Sequence, residues 1–283
     1  MRQISISLQF MSLGLWVLTG LFLGLTGFAH AGQKNFGLVA GAISTVTEIV
    51  DGDTVFLANG EEVRLTGIQA PKLPLGRKNF RTWPFAETAK QAISDLTLGK
   101  QVQLFYDGRR QDRHGRTLAH LQLATLANKD RFQISAKTWV QAAMIADGLA
   151  RVYSFSDNRR MTPHLLSFET QARRQGLNIW RHRFYRIRTP ENVDRHYRTF
   201  QLVEGRVLNA ASVRRRLYLN FGDNWRTDFT IQVAPKARRL FDRAGLGPDS
   251  YKNRRVRVRG WVDRYNGPMI RITHPEQIEV LAE

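Results

Sequence analysis

The stretch "ISTVTEIVDGDTVFLANGEEVRLTGI", Ile43 to Ile68, decides the fold, because its apolar and polar residues alternate in three short runs. Alternation with a period of two is typical of strands that bury one face. The pairs Asp51-Gly52 and Asn59-Gly60 separate the runs, and both pairs favour tight turns. The prediction is a three-stranded meander with strands at Ile43 to Val50, Thr54 to Ala58 and Glu62 to Ile68.

Helices and further strands follow the meander. "PFAETAKQAISDLTLG" has the helical period and ends at Gly99. "KQVQLFY" and "TLAHLQL" predict two more strands around the polar loop "DGRRQDRHGR". Two helices are expected at about residues 136–147 and 163–174, the second capped by Thr162. Five short strands with helices between and after them predict a small Greek-key barrel of the OB type.

The last part of the chain repeats this architecture without repeating the sequence. Strands are predicted at 201–208, 217–221, 229–233, 255–263 and 269–272, with a helix at about 235–244 after the third strand. The fold class is therefore mainly β with helices (α+β). An OB-fold barrel over residues 32–182 is followed by a linker at 183–199 and a second, smaller OB-like barrel at 200–283.

The first 31 residues have the pattern of an export signal. Arg2 is their only charge, and a nearly continuous apolar run leads to "AHAGQ". This predicts a signal peptide cleaved after Ala31 and a periplasmic or secreted protein. An uncleaved membrane anchor is the alternative, since the apolar run is near the minimum that spans a bilayer. The chain has no cysteine, so no disulfide-linked partner is expected.

The chain is strongly basic, with a net charge of +19, and both halves share the excess. Such a field attracts polyanions, which include nucleic acid and anionic lipid. A solvated basic surface facing an anionic envelope is the other interpretation. The seven histidines are scattered and show no zinc-type spacing.

Five segments in order carry a resemblance: "VDGDTV", "VRLTGIQAP", "DRHGRTLAHL", "DGLARV" and "QARRQGLNIW". Together they resemble the staphylococcal nuclease (thermonuclease) family over about residues 43–182. The resemblance implies an OB-type barrel, calcium dependence and hydrolysis of DNA or RNA phosphodiesters. In that family two aspartates bind the metal, two arginines hold the phosphate and a glutamate is the base.

Part of that constellation is retained. Asp53 matches the first metal aspartate, with Asp51 close by, and the resemblance makes both candidate calcium ligands. Arg64 and Arg116 match the two catalytic arginines that clamp the phosphate.

The rest of the constellation is replaced. The second metal aspartate falls at Gln69, and the glutamate base falls at Lys72. No Asp or Glu occurs between Val63 and Ala86, so a small alignment shift supplies no carboxylate. A lysine beside Asp53 would repel calcium or pair with the carboxylate in the metal's position, and it would strengthen phosphate binding.

Two other basic segments are candidates for substrate binding. Arg255, Arg257 and Arg259 alternate along one predicted strand, which places a basic stripe on one face. The loop "LPLGRKNFRTWP" interleaves Phe80 and Trp83 with cations, a pattern that suits single-stranded nucleic-acid binding. The competing interpretation is that Trp83 and Phe85 pack into the core and fix the start of the next helix.

Three hypotheses follow for the function. The first is an exported nuclease whose calcium is held mainly by Asp53 and whose water is activated by Glu87 or by no residue. The second is a non-catalytic nucleic-acid-binding module that kept the phosphate clamp and lost the metal. The third is an envelope module whose basic faces meet anionic lipid or another protein.

Overall fold

The computed structural model describes residues 36–126 and 128–282. The predicted signal peptide, with its cleavage or anchoring, lies outside the described residues. Within them, no helix combines the length and apolar character needed to cross a membrane.

Residues 39–123 form a closed five-stranded barrel, as predicted. The strands are β1 (Val39–Asp51), β2 (Thr54–Leu57), β3 (Glu62–Leu65), β5 (Gln101–Tyr106) and β6 (Thr117–Leu123). They pair in the order β1, β2, β3, β6, β5, and β5 pairs again with β1. The pair β3 and β6 is parallel and the others are antiparallel.

The long strand β1 bends around the barrel and so pairs with two neighbours. Its register shifts between Val46 and Glu48 and again between Ile49 and Asp51, as β-bulges do. The predicted strand 62–68 is interrupted at Gly67, whose φ of +81° makes a turn. Beyond the turn, β4 (Ile68–Gln69) pairs with β7 (Arg151–Val152).

Three helices accompany the barrel: α1 (Ala86–Thr97) packs against β1, α2 (Val140–Ala146) against β6, and α3 (Thr162–Arg174) against α2. The cap predicted at the start of α3 is wrong. Thr162 is the first helical residue, and its hydroxyl is buried without a hydrogen-bond partner. Pro163 fits the first turn, where no backbone donor is needed.

Residues 200–280 form a seven-stranded sheet with one helix. Its strands pair in the order β8, β12, β13, β11, β10, β9, and β14 also pairs with β12. The elements are β8 (Phe200–Arg206), β9 (Asn209–Val213), β10 (Arg216–Asn220), β11 (Thr230–Val233), α4 (Pro235–Arg243), β12 (Arg255–Tyr265), β13 (Gly267–Ile272) and β14 (Ile278–Val280).

The second closed barrel is not confirmed. The helix position and the parallel pair β11 with β13 follow the order seen in the first barrel. The pairing changes partner between Arg206 and Asn209, since β8 pairs with β12 and β9 pairs with β10, and the sheet is an open path from β14 to β9 with β8 beside β12. The predicted linker contains short 3-10 helices at Arg183–Tyr185 and Val193–His196, and Val193 is buried in the second core.

Candidate functional site

A cleft of about 880 Å³ lies beside strand β3 of the first barrel and is lined by residues from both parts of the chain. Its volume falls within the range of about 300–1,000 Å³ that is usual for ligand sites. Six arginine and lysine side chains and four carboxylates line it. The cations are Arg64, Lys72, Arg77, Arg109, Arg113 and Arg116, and the acids are Asp51, Glu62, Asp112 and Asp157.

The carboxylates of Asp51 and Asp53 hold the ammonium of Lys72. Lys72 Nζ lies 2.6 and 2.7 Å from the two Asp53 oxygens and 3.0 Å from Asp51 Oδ2. Asp53 is fully buried, and the Lys72 side chain is 18% exposed. The lysine thus closes the mouth of a buried acidic pair.

The turn that carries this pair is tightly constrained. Asp51 Oδ1 accepts the backbone N–H of Asp53 at 3.0 Å, a short-range bond typical of aspartate in turns. A Cβ on Gly52 would meet Ala70 Cβ at 2.7 Å and Ala89 Cβ at 2.8 Å. Only glycine therefore lets α1 and the segment after β4 pack against the turn.

A backbone hydrogen bond fixes the segment that carries Lys72 to the same carboxylate. Asp53 Oδ2 accepts the N–H of Ala70 at 2.7 Å, two residues before the lysine. Asp53 precedes β2 and Ala70 follows β4, so this bond joins two segments that are 17 residues apart in the sequence. Lys72 is consequently aimed at Asp53 by its own backbone.

The two carboxyls differ in acidity. Burial opposes ionisation of Asp53, but Arg64 and Lys72 outweigh it and hold the pKa of that carboxyl well below its usual range. Burial and the neighbouring Asp53 charge raise the pKa of Asp51, despite the opposing effect of Lys72. Asp53 is therefore the firmly ionised member of the pair.

Arg64 points its guanidinium into the protein. Nη1 donates to the carbonyl of Leu65 at 2.6 Å and to that of Asp53 at 3.3 Å, and Nη2 donates to the carbonyl of Ile68 at 2.8 Å. Nη2 also lies 3.3 Å from Asp53 Oδ2, and the side chain is largely buried. Arg64 lines the cleft, yet internal acceptors engage its guanidinium.

Arg116 lines the same cleft, so the structure brings the two predicted phosphate arginines together. Its Nε and Nη2 donate to Asp112 Oδ2 at 2.8 and 2.7 Å. The pair is half-buried and four residues apart in the polar loop. A phosphate could reach Arg116 only alongside or in place of this carboxylate.

Arg151 binds the side chain of Gln69. Its Nε and Nη2 donate to Gln69 Oε1 at 3.0 and 2.7 Å. The guanidinium also lies over the ring of Phe200 at 4.6 Å. Burial lowers the pKa of Arg151 to about 10. Sequence analysis missed this residue, although it stands in the motif "DGLARV".

Comparison with known proteins agrees with this geometry. Residues 62–182 match the family model described as Staphylococcal nuclease homologue. This part of the chain is similar to staphylococcal nuclease homologues, and we refer to it as the nuclease-homologue domain. The thermonuclease of Staphylococcus intermedius is 26% identical over 151 residues, covering 52% of this chain and 82% of that relative. The thermonuclease of Staphylococcus hyicus is 24% identical over 157 residues, covering 54% and 80%.

The nuclease-homologue domain does not fit the calcium ion that the resemblance implies. Calcium takes six to eight oxygen ligands, whereas the oxygens of Asp51 and Asp53 here surround an ammonium. Across the described residues, no group of three or more His, Cys, Asp or Glu could hold a metal ion. Glu87, the candidate substitute base, is exposed in the first turn of α1.

The predicted arginine stripe of β12 shares one face, as the alternation requires. Arg257 Nε donates to Glu204 at 2.6 Å, and Arg255 pairs with the same carboxylate at 3.3 Å. Arg259 is 1% exposed and is bound by Glu169 and Glu279. Of the three arginines only Arg255 is well exposed, because Arg257 and Arg259 form ion pairs with glutamates of neighbouring elements.

The aromatic residues of the loop 73–84 pack inward. Phe80 stacks on Trp83 with ring centroids 6.3 Å apart, and Trp83 contacts Phe184 at 5.3 Å. Arg77 covers the Phe80 ring at 3.7 Å. Packing between the loop and residue 184 therefore accounts for both rings. Lys78 and Arg81 stay exposed.

Proposed function

We propose that this chain binds nucleic acid in the cleft and does so without a calcium ion at the Asp51 and Asp53 pair. The observation that carries the proposal is the contact of Lys72 Nζ with three carboxylate oxygens at 2.6 to 3.0 Å. The ammonium brings one positive charge to this position, where calcium would bring two. A phosphodiester can then be held by charge alone.

Hydrolysis by the family's route lacks a base in this arrangement. A general base must be free to take a proton and within hydrogen-bond reach of the attacking water. Asp53 is buried and bound to Lys72, and Lys72 itself stands where the glutamate is expected. Loss of general-base help costs about 10²- to 10⁴-fold in rate. The site is therefore better suited to binding nucleic acid than to cleaving it.

The phosphate contacts fall to the exposed cations of the cleft. Arg109 and Arg113 lie in the polar loop between β5 and β6 and are exposed. Arg113 donates through Nε to His114 Nε2 at 3.1 Å, which leaves its two Nη groups for an anion. Arg116 and Lys72 extend this positive wall to the buried pair. Arg257 and Arg259 do not belong to this binding surface, because they pair with Glu204 and Glu169.

Calcium-dependent hydrolysis is the second candidate. It is favoured by the presence of Asp51, Arg64 and Arg116 in one cleft of the nuclease-homologue domain, with the buried Asp53 carboxylate 3.3 Å from Arg64. It requires that calcium displace Lys72 and that another group position the water.

One experiment separates the candidates. Fluorescence anisotropy of labelled DNA and RNA oligonucleotides is measured with calcium and with chelator, and the products are checked for cleavage. We expect salt-sensitive binding that is equal in both conditions, with no cleavage. An Arg113→Ala variant should bind more weakly, whereas Arg226→Ala, an exposed arginine outside the cleft lining, should not. Calcium-stimulated cleavage that Arg116→Ala abolishes would establish the second candidate.

Absence of binding at low salt would reject both. Competition with anionic lipid vesicles tests the envelope hypothesis, because a lipid-binding surface would release the oligonucleotide to the vesicles. The N-terminal pattern of residues 1–31 leads us to place the binding outside the cytoplasm. N-terminal sequencing of the mature protein checks that placement.

A further inference from the structure

One wall of the cleft is aromatic and comes from both parts of the chain. Tyr153 and Phe155 follow β7 of the nuclease-homologue domain, and Trp261 belongs to β12 of the second sheet. Phe155 is 51% exposed and Trp261 is 49% exposed. Both rings therefore keep surface available to an occupant of the cleft.

The Trp261 ring is held in place. Its Nε1 donates to the hydroxyl of Tyr153 at 3.1 Å. The Tyr153 ring in turn packs edge-on against Phe155 at 5.0 Å and against Phe200 at 4.8 Å. Phe200 is the cross-strand partner of Trp261 in the pair of β8 with β12. A ring fixed in this way loses little side-chain entropy when a planar group stacks on it.

The joint between the two parts is also firm. Arg259, two residues before Trp261, is bound by Glu169 of α3 at 2.8 Å. His274 shares a buried hydrogen bond of 2.8 Å with Ser154, next to Tyr153. The position of Trp261 at the cleft is therefore set by contacts across the joint.

Cations line the same cleft as these rings. Arg109, Arg113 and Arg116 all line it together with Tyr153, Phe155 and Trp261. Positive charge along a backbone path, with aromatic rings beside it, is the arrangement that binds single-stranded nucleic acid. A duplex is disfavoured, because its bases already stack on each other and pair through their edges.

We propose that Trp261 of the second sheet is a stacking site of this cleft: a base of single-stranded nucleic acid stacks on its ring while the phosphates lie along the arginines of the 107–116 loop. The second sheet then supplies one wall of a binding site whose other residues belong to the nuclease-homologue domain. This inference rests on the proposed function and adds a binding residue from the second sheet.

The test compares Trp261→Ala with Trp225→Ala in the full-length chain. Trp225 is 56% exposed on the loop between β10 and β11 and does not line the cleft, so it is a matched control. The probes are a labelled 12-nucleotide single strand and the duplex of the same sequence. Trp261→Ala should weaken single-strand binding by about 5- to 150-fold, the effect of losing one stacked base. Trp225→Ala should leave it unchanged.

Two further variants separate stacking from loss of structure. Trp261→Phe keeps a ring without the N–H and should retain most of the affinity, and Tyr153→Phe should do the same. Thermal unfolding of every variant checks the fold. Quenching of tryptophan fluorescence by the single strand should shrink in Trp261→Ala and persist in Trp225→Ala.

Equal affinities of Trp261→Ala and Trp225→Ala, or a duplex bound as tightly as the single strand, would overturn the inference. In either case the proposed function stands, provided that the unchanged chain binds. If the unchanged chain binds neither probe at low salt, the proposed function itself fails. If anionic vesicles displace the single strand and their binding depends on Trp261, the rings belong to a lipid-binding surface instead.

Discussion

Replacement of Arg259 by alanine should destabilise the chain severely, although its sequence pattern resembles a binding stripe. Arg259 Nη1 and Nη2 donate to the two oxygens of Glu169 at 3.0 and 2.8 Å, and Nη2 donates to Glu279 at 2.7 Å. Glu169 is fully buried, and Arg259 outweighs burial to keep its pKa below the ordinary value. Without the arginine, Glu169 keeps only Arg173 and one backbone N–H.

The magnitude follows from the uncompensated charge. Removing one partner of a buried ion pair costs about 3–5 kcal/mol, because the other charge stays away from water. Arg255→Ala is the matched control: Arg255 lies on the same strand face, is 59% exposed and forms an exposed pair worth about 0–1 kcal/mol. The difference between the variants should therefore be at least about 2 kcal/mol.

Urea unfolding followed by circular dichroism measures this difference. Arg259→Ala should lower the free energy of unfolding by several kcal/mol, while Arg255→Ala should change it little. If Arg259→Ala were as stable as Arg255→Ala and instead lost nucleic-acid affinity, the buried-pair account would be refuted and the stripe would be a binding surface.

Three other perturbations test separate parts of the structure. His274 is buried, and burial, with smaller effects of Arg159 and Arg259, lowers its pKa from 6.5 to about 4. Below pH 6.5 only the unfolded chain takes up this proton, so stability should fall by about 3 kcal/mol between pH 6.5 and 4. Urea unfolding should show a smaller fall in a His274→Gln variant. Gly52→Ala should cost about 1–3 kcal/mol in a thermal unfolding scan, since its Cβ would lie 2.7 Å from that of Ala70, and an unchanged melting temperature would show that the turn can relax. Arg113→Ala should reduce the slope of log affinity against log salt by about one, and an unaltered slope would remove Arg113 from the phosphate path.

The first barrel could be predicted from the sequence because its signals are local. The turns at Asp51-Gly52 and Asn59-Gly60 and the alternation around them identify strands without knowledge of the tertiary structure. The second sheet is harder, because β9 and β14 are short and the change of partner after Arg206 depends on which neighbour each strand finds. Strand order was predictable there, but barrel closure was not.

The site divides in the same way. The sequence places Gln69 and Lys72 where the resemblance leads one to expect carboxylates, and the pairing of Lys72 with Asp53 follows from charge. The burial of Arg259 is not visible, because Glu169 stands 90 residues earlier in the chain. Trp261 meets Tyr153 across 108 residues for the same reason. Alternation fixes the face of a residue, whereas tertiary packing decides what covers that face.

The central claim is that Lys72 takes the place of a metal ion between Asp51 and Asp53, and calcium titration tests it most directly. Calcium binding is measured by isothermal titration calorimetry on the unchanged chain, on Lys72→Gln and on Lys78→Gln, a control lysine exposed in the same loop. Lys72→Gln frees both carboxylates and should bind calcium more tightly than the other two proteins, which should behave alike. Equal calcium affinity in the unchanged chain and in Lys72→Gln would contradict the claim.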